Sequence, residues 1–262
     1  MIKEVLKEPT ISFLGNKGRG KTVGAAILVN NMEDDVLVVD TVGAFSIGRL
    51  IKNAIYVEVD VRKFSKKMCM TIFKKFAHTS RIVLNVQRLT RKEMVEFCEC
   101  LCAVTMEIGD VGFVIDEVGE VVSQQKEFYS PEYERLVRVG RNYGVKPVIQ
   151  ISQRPQKVDK NVLALTDFYC IMGMSHNLDL DAVRNLIGLD TDEFKPMREE
   201  IKKQTVGDCL LVKYDGSLKR TKFNMDKDSL DERIQAKRQR EVLKNNEFDK
   251  ENKALNVEEE KI

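Results

Sequence analysis

The sequence predicts an α/β fold in which a mostly parallel sheet is covered by helices on both faces. Two patterns predict it. Seven short apolar runs recur from one end of the chain to the other, and amphipathic segments at helical spacing lie between them. A third observation makes it feasible: 262 residues, 43% of them hydrophobic, can bury a substantial core.

The expected strands are residues 11–14, 36–40, 55–59, 82–86, 111–115, 148–152 and 168–172, each rich in Val, Ile, Leu or Phe. Between them, Met68, Cys69, Ile72, Phe73 and Phe76 share one helical face. Thr90 and Glu93 form a capping box opening a helix with Met94, Phe97, Cys98, Leu101 and Cys102 inward. Ser130–Pro131 reads as an N-cap followed by proline at the first helical position, with Gly144 as the stop, giving a helix over residues 131–143. Near the end, "CLLVKYDGSLKRTKF" is a hairpin with an Asp215–Gly216 turn. After Met225 the texture becomes charged and poor in core-formers. Residues 1–225 are therefore expected to be one domain and 226–262 a charged tail, helical or disordered.

Composition narrows the classes. Net charge is only +2, with 43 basic against 41 acidic residues, so any polyanion must be gripped by a few placed cations or by several copies together. No apolar stretch is long enough to span a membrane, and "MIKEVLKEPT" lacks a secretory core, which predicts an intracellular protein. Cys98, Cys100 and Cys102 form C-x-C-x-C. With no second CxxC or histidine pair beside it, this reads as core packing, because Cys98 and Cys102 fall on the buried helix face.

The chemistry begins at "GNKGRGKT", which matches GxxxxGK[ST] with Gly15, Gly20, Lys21 and Thr22, after a strand and before a helix. Glycines let backbone N–H groups curl around phosphate oxygens, and the helix N-terminus adds its positive end. Gly15, Asn16, Lys17, Gly18, Arg19, Gly20, Lys21, Thr22 and Val23 are thus the expected cradle of a nucleotide. Lys21 would reach the β and γ phosphates, and Thr22 would give its hydroxyl to Mg²⁺.

A second element is "VGFVIDEVGE", a buried strand ending in two carboxylates. Asp116 is placed to hold hydrated Mg²⁺ with Thr22, and Glu117 to take a proton from the attacking water. A GTPase is disfavoured because no [NT]KxD motif appears, and a small-molecule kinase because no arginine-rich lid follows.

Which ATPase this suggests depends on "RLVRVGRNYGVKPVIQISQRP", a helix carrying Arg135, Arg138 and Arg141, then a strand with a polar tip. The arrangement resembles the HerA/FtsK superfamily of ring-shaped DNA-pumping ATPases, in which an R-x-x-x-G-R-x-x-G helix leads into a strand ending SQRP or TQRP. "VVDTVGAF", "TDFYCIMGMSHNLDLDAVRNLIG" and the terminal hairpin are similar to further parts of that group, so the resemblance covers roughly residues 10–225.

The resemblance implies a RecA-like P-loop fold, ATP and Mg²⁺ as cofactors, and double-stranded DNA as partner. It further implies that Gln153 senses the γ-phosphate and that Arg141, with Arg138 as fallback, is an arginine finger reaching the next subunit. A finger in trans implies a homo-oligomeric ring of six. The core begins by about residue 10, without the membrane segments, β-barrel or helical domain of other members. The chain is therefore most similar to genome-packaging ATPases of tailless, membrane-containing viruses, which implies a host-cytoplasmic, virion-associated motor docking on a capsid or membrane vertex protein. Plasmid or conjugative motors, filamentous-phage-type export ATPases and a non-catalytic regulator are the alternatives. For the DNA grip the sequence offers "SQQKEF" with Lys126, "RPQKVDK" with Arg154, Lys157 and Lys160, and the group Arg62, Lys63, Lys66 and Lys67.

Overall fold

The computed structural model describes residues 2–60 and 64–224. Arg62, Lys63 and the expected tail lie outside the described residues. In chain order, the first half comprises α1 (Ile2–Val5), β1 (Thr10–Leu14), α2 (Lys21–Asn30), β2 (Asp35–Asp40), α3 (Ala44–Gly48), β3 (Ile55–Glu58), α4 (Lys66–Phe73), β4 (Arg81–Asn85) and α5 (Arg91–Ile108). The second comprises β5 (Val111–Asp116), α6 (Pro131–Val139), β6 (Val148–Ser152), α7 (Lys160–Ala164), β7 (Phe168–Met172), α8 (Asn177–Leu186), α9 (Thr191–Lys203), β8 (Asp208–Lys213) and β9 (Leu218–Lys222).

Among the described residues the strands form one sheet in the order β3-β4-β2-β5-β6-β1-β7-β8-β9. The first seven run parallel, and the terminal hairpin β8–β9 adds two antiparallel strands. Each of the seven expected runs is a strand. β1, β6 and β7 are buried along their whole length, which explains their near-continuous apolar character. β3 and β9, at the edges, carry the charged and half-exposed residues.

Two cores result. Ala25, Leu28 and Val29 of α2 pack with Phe45 of α3 on one face, against Ile11, Phe13 and Ile149. On the other, α4 to α9 cover Leu37, Leu84, Phe113 and Ile171. α5 has the expected capping box, with both Thr90 and Glu93 engaged, and Cys98 and Cys102 are wholly buried in that second core. The helix expected to run to residue 143 is shorter. Val139 leaves helical geometry (φ −130°, ψ 0°), and a 3-10 turn, Gly140–Tyr143, completes the path to Gly144 at φ 79°. Val145 closes that turn by donating its N–H to the Gly140 carbonyl at 3.0 Å.

This topology sets the site. β6 lies between β1 and β5, so the turns leaving the carboxyl ends of these three strands converge on one edge.

Candidate active site

The loop after β1 is fixed from both sides. Gly15 donates to the Ser152 carbonyl (3.2 Å) and Asn16 to the Gly173 carbonyl (2.9 Å). Gly20 caps α2 at φ 96°, a conformation open to glycine and strained for other residues. The outer limb is held by the segment before β8: Arg19 donates to the Gln204 carbonyl at 3.0 Å, and the Gly207 N–H donates to the Arg19 carbonyl at 3.0 Å. Lys21, at the start of α2, is buried and donates to the Asn16 carbonyl at 2.9 Å. Burial lowers its pKa to about 8, against the opposing influence of Glu117 and Asp116.

Two carboxyls, Asp116 and Glu117, face this cation, and a third, Asp40, lies beside the first. Asp116 ends β5 beside its register partner Asp40, at the end of β2; both are buried. Burial, with Asp40 and Glu117 nearby, pushes Asp116 up to about 7. The Thr22 hydroxyl lies 3.5 Å from its Oδ2. Asp40, raised chiefly by burial, accepts from the Ser46 N–H at 2.7 Å. Glu117 sits at φ 51°, an uncommon conformation for a residue with a side chain, and one that concentrates at functional sites. Its carboxylate is clasped by the tip of β6: the Ser152 hydroxyl donates at 3.2 Å and the Gln153 N–H at 3.0 Å. Burial raises its pKa too.

These residues fit a nucleotide triphosphate and a divalent cation. Lys21 uses one of its three protons internally, and Asp116 is a buried carboxyl whose ionisation a nearby metal would favour. Thr22 and Asp116 are the residues that would hold it.

The structure brings the loop of residues 15–23 together with Asp116, Glu117 and Gln153, the last through its backbone. It does not bring Arg141 to them. Arg141 is exposed in the 3-10 turn before β6, at the amino ends of the strands, where it lines a cleft of about 310 Å³ with Thr10, Val148 and Asp167. A five-residue strand, about 17 Å long, separates the two ends. Arg135 pairs with Glu132 at 3.2 Å and Arg138 with Glu134 at 3.5 Å, each within α6. The Arg141 side chain makes no ion pair or hydrogen bond with a described residue, although its charge opposes the raised pKa of Asp167.

Superposition links this arrangement to solved structures. The genome packaging NTPase B204 from Sulfolobus turreted icosahedral virus 2, in complex with AMP, matches with a TM-score of 0.60 at 13% identity, over 83% of this chain and 98% of that one. The chain has the B204 fold. VirB4 of Thermoanaerobacter pseudethanolicus matches at 0.58 with 11% identity, over 84% and 91% of the two chains. The plasmid coupling protein TrwB, in complex with ADP and Mg²⁺, matches at 0.58 with 10% identity, over 84% and 86%. No protein-family model and no curated protein sequence matches the chain. The agreement with B204 thus lies in the backbone.

The basic loops change in meaning. "SQQKEF" and "RPQKVDK" are one surface, joined by the Gln124 N–H on the Lys157 carbonyl at 3.2 Å and by the Ser123–Val158 bridge. Lys126, Lys157 and Lys160 are exposed on it. Arg154 is half-exposed, and its Nε lies 2.9 Å from the buried Asp179. Lys66 is engaged by Glu107. Sequence reasoning did not assign Asp40 or Ser152 to the site. The signal for Asp40 was present, since it ends a buried strand just as Asp116 does.

Proposed function

We propose that this chain is an ATP-driven double-stranded DNA translocase of the HerA/FtsK type, packaging a viral genome into a preformed capsid as a six-membered ring. One observation carries the reading. Lys21, Thr22, Asp116 and Glu117 meet at the carboxyl edge of the sheet, while the exposed Arg141 side chain at the opposite edge has no ion-pair partner among the described residues. The B204 fold supports it.

In this mechanism the loop amides and Lys21 hold the triphosphate. When bound by Thr22 and Asp116, Mg²⁺ neutralises phosphate charge. Glu117, oriented by Ser152 and Gln153, takes a proton from water as its oxygen attacks the γ-phosphorus. The bond to the β–γ bridging oxygen breaks and ADP leaves with the electron pair. Arg141 of a neighbouring copy supplies a rigid cation to the charge developing on the transferred group, with Gln153 sensing the γ-phosphate. Lys126, Lys157 and Lys160, repeated around a ring, give the cationic lining that a net charge of +2 does not give one copy. A capsid or membrane vertex protein completes the assembly in the host cytoplasm.

VirB4 and TrwB match the fold about as closely as B204, which favours a plasmid or conjugative DNA pump as the second reading. The first experiment is Mg²⁺-dependent phosphate release with and without duplex DNA. Turnover stimulated by DNA and abolished by Lys21→Ala is expected. Turnover indifferent to DNA removes the translocase. Co-purification with capsid protein, rather than with a conjugation protein, separates the two readings.

A further inference from the structure

One wholly buried carboxylate has no part in the scheme above. Asp179 is the third residue of α8 and has no exposed surface. Its oxygens are not spent on capping its own helix. Oδ2 lies 2.9 Å from Arg154 Nε and 3.6 Å from His176 Nδ1, and Oδ1 accepts from the Gln156 N–H at 3.4 Å. Arg154 and Gln156 both belong to the loop leaving β6.

That loop aims Glu117. The Arg154 N–H donates to the Ser152 hydroxyl at 3.1 Å, which donates to Glu117 Oε1, while the Gln153 N–H holds Oε2. Glu117 projects from a left-handed residue, so these outside contacts decide where its carboxylate points. Burying a carboxylate is costly unless it is paired. Here the pair joins α8 to the three-residue tip that touches the general base.

We infer that Asp179 is a positioning residue for hydrolysis: by anchoring Arg154 and Gln156 it fixes the Ser152–Gln153 tip against Glu117. The inference rests on the ATPase reading, and it gives a task to the contact between Arg154 and a wholly buried carboxylate.

Asp179→Asn keeps the shape and an acceptor for Gln156 but removes the attraction for Arg154. The variant should lose about tenfold in kcat, since a small misplacement of a catalytic group is enough for that. KM for ATP, thermal midpoint and the stoichiometry of a non-hydrolysable ATP analogue should be unchanged. Arg154→Ala should lose as much, the double variant no more than either single, and Arg154→Lys should recover part. Wild-type turnover by Asp179→Asn, or strictly additive losses in the double variant, overturns the inference and leaves the ATPase reading intact. Loss of analogue stoichiometry in step with the rate also overturns it, reducing Asp179 to a structural anchor. A wild-type chain that hydrolyses no ATP with Mg²⁺ and DNA overturns both.

Discussion

Asp40 and Asp116 are paired in register at the carboxyl ends of β2 and β5, two buried carboxyls side by side at the mouth of the phosphate loop. Such a pair resists double ionisation unless a cation arrives. Asp116 is pushed from 3.8 to about 7, so between those values the folded chain holds a proton that the unfolded chain has lost. Stability from this group is full below pH 3.8 and is lost as pH rises through about 7. Asp116→Asn should therefore be more stable than wild type at pH 8 without metal, by on the order of 4 kcal/mol, with the advantage shrinking at pH 5. Urea unfolding in EDTA at the two pH values measures it, and a gap that widens toward pH 5 contradicts the account.

Glu117→Gln preserves an acceptor for Ser152 and Gln153 but removes the base. Phosphate release should fall about 100-fold or more, with binding of a fluorescent ATP analogue retained. Binding and hydrolysis lost together would place Glu117 among the binding groups.

Arg141 stands apart from the phosphate loop of its own chain. Arg141→Ala and Glu117→Gln should each be inactive alone, yet mixing them should restore part of the turnover. Some sites in the mixture then combine an intact glutamate with an intact arginine. A mixture as inactive as its components argues against a finger in trans.

Gly207 lies at φ 86°, and a Cβ there would sit 2.5 Å from the Phe223 carbonyl oxygen. Its N–H also holds Arg19. Gly207→Ala should cost about 1–3 kcal/mol of stability and weaken nucleotide binding through the loosened loop. Denaturant midpoints and analogue titration report the two effects. Unchanged values for both would show that the hairpin does not brace the phosphate loop.

The strands were legible because a parallel sheet buried on both faces writes itself as apolar runs, as in Ile11–Leu14 and Val148–Ser152. The phosphate loop was legible because Gly20, Lys21 and Thr22 work at fixed spacing. The stop at Gly144 was legible too, but the change from α-helix to 3-10 turn at Gly140 was not, since it is a matter of backbone geometry at Val139. The contact of Arg154 with Asp179 was not legible, because the two are 25 residues apart and the crossover between β6 and α8 brings them together. Ser152 stood in the SQRP motif without a role, because its bond to Glu117 runs across two neighbouring strand ends.

The placement of Lys21 and Arg141 at opposite ends of one sheet has a geometric consequence. A junction uniting them stacks the floor of one molecule on the roof of the next, so a row of copies has a direction, like arrows laid nose to tail. Any open row wastes its two extremities, one lacking a donor and the other a recipient, and only a closed circuit leaves none idle.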